Sequence, residues 1–196
     1  LPVNRWDPEF SQVVLEELRR HGVDFVTDTE TRAVEAGKDH RLRLVTNHGG
    51  AEADMILMAV GIRPEVTLAK QMGLPLGETG AIRVNFSQRT LREGVYAVGD
   101  CANLPCAFSS VAHVRLESVQ NAIDQAKHAA MAICGKPKPY TEVPWFWSDQ
   151  YDLKLQIAGL SSPTDQLVLR GDPAARSFAV FRLREAAVVA VEAVNA

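Results

Sequence analysis

Apolar residues recur at helical spacing from Phe10, with Val13, Val14 and Leu18 on the same stripe, and predict an amphipathic helix that stops at Gly22. Asp7 is the expected N-cap and Pro8 the first helical residue, where a missing N–H costs nothing. Val23 to Val26 reads as a short strand. The period then shortens toward two. Thr31 to Ala36 and Arg41 to Thr46 predict a meander of two or three strands, turning at Gly37-Lys38-Asp39 and again at Asn47-His48-Gly49-Gly50. Ala53 to Val60 differs in kind: it is almost continuously apolar, the pattern of a strand covered on both faces, and it ends at Gly61 and Pro64. A short helix is expected from about Val66 to Met72.

Strand-like stretches return at Gly80 to Asn85 and Gly94 to Asp100. Ser118 opens a helix running to Cys134, whose expected packing face is Ala122, Ala126, Ala129, Ala130 and Ile133, and Gly135 ends it. Pro137 and Pro139 form a stiff connection. Four further runs, Lys154 to Ala158, Gln166 to Arg170, Phe178 to Leu183 and Val188 to Val194, predict an antiparallel sheet with a turn at Gly171-Asp172-Pro173.

Composition narrows the class. A chain of 196 residues, 46% hydrophobic and with formal charge −3, reads as a soluble α/β protein. No window approaches the ~18 apolar residues of a membrane helix, and no Lys/Arg cluster offers a nucleic-acid surface. The first residues carry no secretory pattern and no initiator Met, so the chain is expected to be processed or cut from something longer. Three cysteines are too few for a disulfide scaffold and point to a reducing, cytoplasmic setting. The five histidines show no metal-ligand spacing.

The strongest chemical signal is Val95-Tyr96-Ala97-Val98-Gly99-Asp100-Cys101-Ala102, preceded by Ala59-Val60-Gly61-Ile62-Arg63-Pro64. An apolar run delivers Gly99 to a place where backbone can approach a ligand closely, and Asp100 can accept hydrogen bonds from sugar-like hydroxyls. Read alone, the pair is equally a plain turn after a buried strand. Together these residues resemble the FAD-dependent pyridine-nucleotide oxidoreductases. The stretches Val114 to Ala122 and Val143-Pro144-Trp145-Phe146-Trp147-Ser148-Asp149-Gln150-Tyr151 resemble the ferredoxin and rubredoxin reductases within that family.

The resemblance implies incomplete FAD- and NAD(P)-binding Rossmann-type domains of three-layer β/β/α design, followed by an α+β C-terminal domain with an antiparallel sheet. Residues 1–78 would be the later part of the NAD(P)H domain, 79–138 the returning segment of the FAD domain, and 139–196 a truncated C-terminal reductase domain. It implies FAD contacts at Gly99, Asp100, Ser118, Val119 and Trp147, and NAD(P)H contacts at Gly61 and Glu117. The flavin would carry the chemistry, with no catalytic side chain and no metal, and the electron acceptor would be a ferredoxin- or rubredoxin-type protein. The start of the Ser118 helix, with free N–H groups and a positive dipole end, suits the electron-rich side of a reduced flavin. Glu117 could instead only complement that dipole, and Trp145 and Trp147 could be packing.

Cys101 and Cys106 have a spacing found in disulfide reductases, but the resemblance places such pairs in an early FAD segment that this chain lacks. Both Gly-rich nucleotide loops are likewise missing, so the isolated chain is expected to hold FAD weakly or not at all. Alternatives at this stage are an NADH oxidase or CoA-disulfide-reductase-like enzyme, a non-catalytic flavoprotein resembling apoptosis-inducing factor, and an inactive fragment.

Overall fold

The computed structural model describes residues 8–196; the expected N-cap Asp7 lies outside them. The described residues divide into two compact units, one holding Arg19–Ile62 and the other residues 8–18 together with Arg63–Ala196. The first helix, α1, is Pro8–Arg20. Its stripe behaves as the spacing predicts, with Phe10, Val13 and Val14 buried and Leu18 packed beside them.

The smaller unit is an antiparallel meander of β1 (Thr31–Ala36), β2 (Leu42–Thr46) and β3 (Gly49–Ala53). Asn47 pins its start: its Oδ1 accepts the Glu30 N–H at 2.8 Å, and its Nδ2 donates to the Asp28 carbonyl at 3.1 Å. Two sequence expectations fail here. Val23 to Val26 forms no strand. The apolar run also stops being strand at Ala53, and residues 55–66 carry no regular structure. Met55, Leu57 and Val60 are 82%, 86% and 84% exposed. The cause is pairing. A strand needs ladder partners for its N–H and C=O groups, and beyond the Leu42–Ala53 pair no described strand lies alongside this segment.

In the larger unit, α2 (Thr67–Gln71) precedes a small sheet of β4 (Ile82–Arg83), β5 (Ala102–Pro105) and β6 (His113–Val114), in which β4 and β5 run parallel. The stretch ending at Asp100 makes only an isolated bridge, Arg89 with Tyr96, where a full strand was expected. Five strands follow α3 (Val119–Ile133): β7 (Trp145–Gln150), β8 (Leu153–Gly159), β9 (Gln166–Asp172), β10 (Ser177–Arg184) and β11 (Ala187–Val194). They form one antiparallel sheet in the order β7-β8-β11-β10-β9.

Alternation along these strands builds the main core. Leu153, Leu155, Phe178, Val180 and Val194 turn to one face and meet Phe10, Val13 and Val14 of α1. The same face continues into a buried ion pair, Arg182 with Glu192 at 3.2 Å. A second core of Val84, Ala97, Ala102, Leu104, Leu116 and Tyr140 takes in Phe146 from β7. It holds the functional region together.

Candidate functional site

Ser118 caps α3: its extended backbone turns the chain into the helix and its Oγ accepts the Asn121 N–H at 3.1 Å. One first-turn donor is thereby satisfied, while those of Val119 and Gln120 have no partner within the helix. The buried face of α3 differs from the alanine face expected. Asn121, Gln125, His128, Ala129 and Ala132 are buried, whereas Ala126, Ala130 and Ile133 are exposed. The reason lies in what the helix packs against. Its inner neighbours are a backbone turn and a tyrosine hydroxyl, which polar side chains can satisfy and alanines cannot.

That turn is Gly99–Cys101, a single 3-10 turn. Gly99 sits at φ +73°, and a Cβ built on it would lie 3.5 Å from the Ala122 Cβ. Backbone and helix therefore meet closely there. The Gly99 N–H donates to Gln125 Oε1 at 2.8 Å. The neighbouring Asp100 is half-buried and its carboxylate has no partner among the described residues.

On the other side of the helix start, the Trp145 N–H donates to Gln120 Oε1 at 3.3 Å, tying β7 to the first turn of α3. Trp145 and Trp147 lie on one face of β7, stacked with ring centroids 4.9 Å apart and 24° between planes. Both are partly exposed. Gly99, Asp100, Ser118, Val119 and Trp147 are thus carried by three elements that meet around the N-terminal half of α3. Glu117 lies one residue before the cap, ion-paired with Arg115. Gly61 lies in the smaller unit, exposed, at φ +88°.

Several members of this region escaped sequence reasoning. Arg115 is one; its guanidinium is mostly buried beside Glu117, and only the Arg-x-Glu spacing hinted at it. Asn121 and Gln125, four residues apart on a helix, are others, and a polar pair at that spacing on an inward face is a recognisable sign. Tyr140 completes the set, its phenol pushed up to about 12 by burial and by the negative charge of Asp124, so the hydroxyl stays a donor. Cys101, Cys106 and Cys134 are all free thiols. Burial pushes the Cys106 thiol up, which works against a reactive thiolate.

A docked glycine turn, a half-buried carboxylate without a partner, free first-turn N–H groups and a stacked indole form a donor and acceptor set that fits a polyol chain joined to a flat heteroaromatic ring.

Comparison with known proteins identifies the family. Residues 1–126 match the pyridine nucleotide-disulphide oxidoreductase family, and residues 145–196 match the reductase C-terminal family. The chain is 43% identical over 192 residues to the 5,5'-dehydrodivanillate O-demethylase ferredoxin reductase subunit of Sphingobium sp. strain SYK-6, covering 96% of this chain and 46% of that protein. It is 37% identical over 183 residues to the putidaredoxin reductase of Pseudomonas putida, covering 90% of this chain and 42% of that one. Among solved structures, the covalent putidaredoxin reductase–putidaredoxin complex superposes with a TM-score of 0.88 at 34% identity, over 97% of this chain and 46% of that chain. The chain thus spans less than half the length of these relatives. With Rossmann-type segments followed by a C-terminal antiparallel sheet, it belongs to the pyridine nucleotide-disulphide oxidoreductase family.

Proposed function

We propose that the chain forms the later half of an FAD-dependent NAD(P)H oxidoreductase that passes electrons to a small ferredoxin- or rubredoxin-type protein. The observation that carries the reading is the meeting of the Gly99-Asp100 turn, the open start of α3 and the stacked tryptophan of β7. In this assignment Gly99 lets the ribityl chain of FAD approach and Asp100 accepts hydrogen bonds from its hydroxyls. The N–H groups at Ser118 and Val119 would hold the pyrimidine side of the ring, and Trp147 would shield the ring from solvent. Glu117, steadied by Arg115, would accept a hydrogen bond from the nicotinamide carboxamide. When bound, FAD supplies the hydride acceptance and one-electron release; the protein binds, orients and shields.

The same reading takes residues 1–78 as the end of the NAD(P)H-binding domain, 79–138 as the returning FAD segment, and 139–196 as the C-terminal reductase domain. Three free thiols fit a cytoplasmic protein. No helix among the described residues is long and apolar enough to cross a membrane.

The test uses the natural full-length protein. It should purify yellow, bleach on anaerobic addition of NADH or NADPH, and reoxidise when a ferredoxin or rubredoxin is added. Stopped-flow reduction of Glu117→Ala should slow by roughly tenfold, the value of one charge-assisted hydrogen bond in the transition state. A colourless full-length protein would end the flavin assignment. Unchanged reduction kinetics in Glu117→Ala would remove that residue from the site.

A further inference from the structure

Asn121, Gln125 and Tyr140 are buried, and they form a chain of hydrogen bonds between two stretches of backbone. At one end the Gly99 N–H donates to Gln125 Oε1 at 2.8 Å. Gln125 Nε2 donates to Asn121 Oδ1 at 2.7 Å, and the Tyr140 hydroxyl donates to the same oxygen at 3.2 Å. At the other end Asn121 Nδ2 donates to the Leu116 carbonyl at 3.0 Å. A backbone N–H can only donate and a carbonyl can only accept, so the two ends fix the orientation of both side-chain amides. The chain can be satisfied in one sense only.

We propose that Asn121 and Gln125 are positioning residues of the flavin pocket. Their relay sets the distance between the turn carrying Asp100 and the bend carrying Glu117 and Ser118. The proposal rests on the flavin assignment above. In that assignment the first segment serves the ribityl chain and the second the ring and the nicotinamide, and the relay is a direct polar link between them. Stability alone gives little reason for such a pair. Apolar side chains of similar volume on a buried helix face are often as stabilising as a satisfied polar pair, so what the amides add is a fixed register.

The experiment compares three variants of the natural full-length protein. Gln125→Glu keeps the shape and the acceptor for Gly99 but turns an ionised oxygen toward Asn121 Oδ1. Asn121→Leu keeps the branched heavy-atom skeleton of the side chain and removes the relay. Val180→Ala, in the core between α1 and the large sheet, lowers stability without touching the pocket. FAD release is followed by flavin fluorescence, the environment of the bound ring by the resolved shoulder on its visible band, and the fold by far-UV circular dichroism melting.

Both relay variants should release FAD faster by on the order of tenfold and lose the shoulder. Val180→Ala should melt lower yet keep the wild-type release rate and spectrum. Relay variants with wild-type release and spectrum would overturn the proposal. So would a Val180→Ala protein that loses flavin equally fast, or relay variants that fail to fold, since the pair would then serve stability alone. A wild-type protein without flavin would overturn the flavin assignment itself and this inference with it.

Discussion

Two stretches of this chain that both predict strand meet opposite fates. Leu153 to Ala158 on β8 alternates, and it lies between β7 and β11 with Leu153 and Leu155 fully covered. Ala53 to Val60 is the more hydrophobic of the two, yet from Met55 onward it is irregular and open to solvent. The difference teaches that hydrophobicity does not make a strand. Ladder partners do, and β8 has two of them. A run that is apolar on every residue asks for more still, since both faces and both edges must be covered.

The largest way to break this contrast is in the partnered sheet. Phe178 is completely buried between β10 and α1, so Phe178→Ala should cost about 3–5 kcal/mol, read as a lower midpoint in urea unfolding followed by circular dichroism. A loss under about 1 kcal/mol would mean that the sheet and α1 do not share a core.

A smaller effect comes from Asp165, whose carboxyl is fully covered. The Arg184 guanidinium, at 2.9 and 3.0 Å, holds it below the ordinary carboxylate range, and the Ser162 N–H adds to this. The folded value is lower than the unfolded one. The stabilisation is therefore complete above the unfolded value, about 4, and is lost as pH falls through the folded value. Thermal melts of wild type should drop below pH about 4 more steeply than those of Asp165→Asn, which lacks the titrating group. Parallel curves would separate the loop at Ser162–Asp165 from the stability of the sheet.

The smallest expected change sharpens the comparison from the other side. Leu57 is exposed, so Leu57→Ser in the 196-residue chain should alter the melting midpoint by an amount equivalent to within about 0.5 kcal/mol. Light scattering should nevertheless fall, because an exposed apolar run is an association surface. A cost above about 1 kcal/mol would show that Leu57 is covered in solution.

The same contrast explains what could be read in advance. The large sheet was legible because its alternation, its turns and its partners all lie within the sequence; only β7 was overlooked, its tryptophans having drawn the reading toward a cofactor. The cap at Ser118 and the stripe of α1 were legible because both are local. The buried face of α3 was not. Alanine spacing suggested one side, but the turn at Gly99 and the hydroxyl of Tyr140 reward Asn121 and Gln125, and that requirement appears only once distant segments meet. Arg115 was hidden for the same reason. Its neighbour Glu117 drew a role from the family resemblance, whereas the ion pair between them exists only in three dimensions.

The stacked indoles of β7 give the protein a built-in optical probe. Two aromatic chromophores held 4.9 Å apart and nearly parallel exchange excitation, so their near-ultraviolet ellipticity reports the geometry of the sheet's edge strand. Because β7 is also tied to the start of α3, that signal follows any event that shifts the helix against the sheet. Such a shift becomes visible without a label.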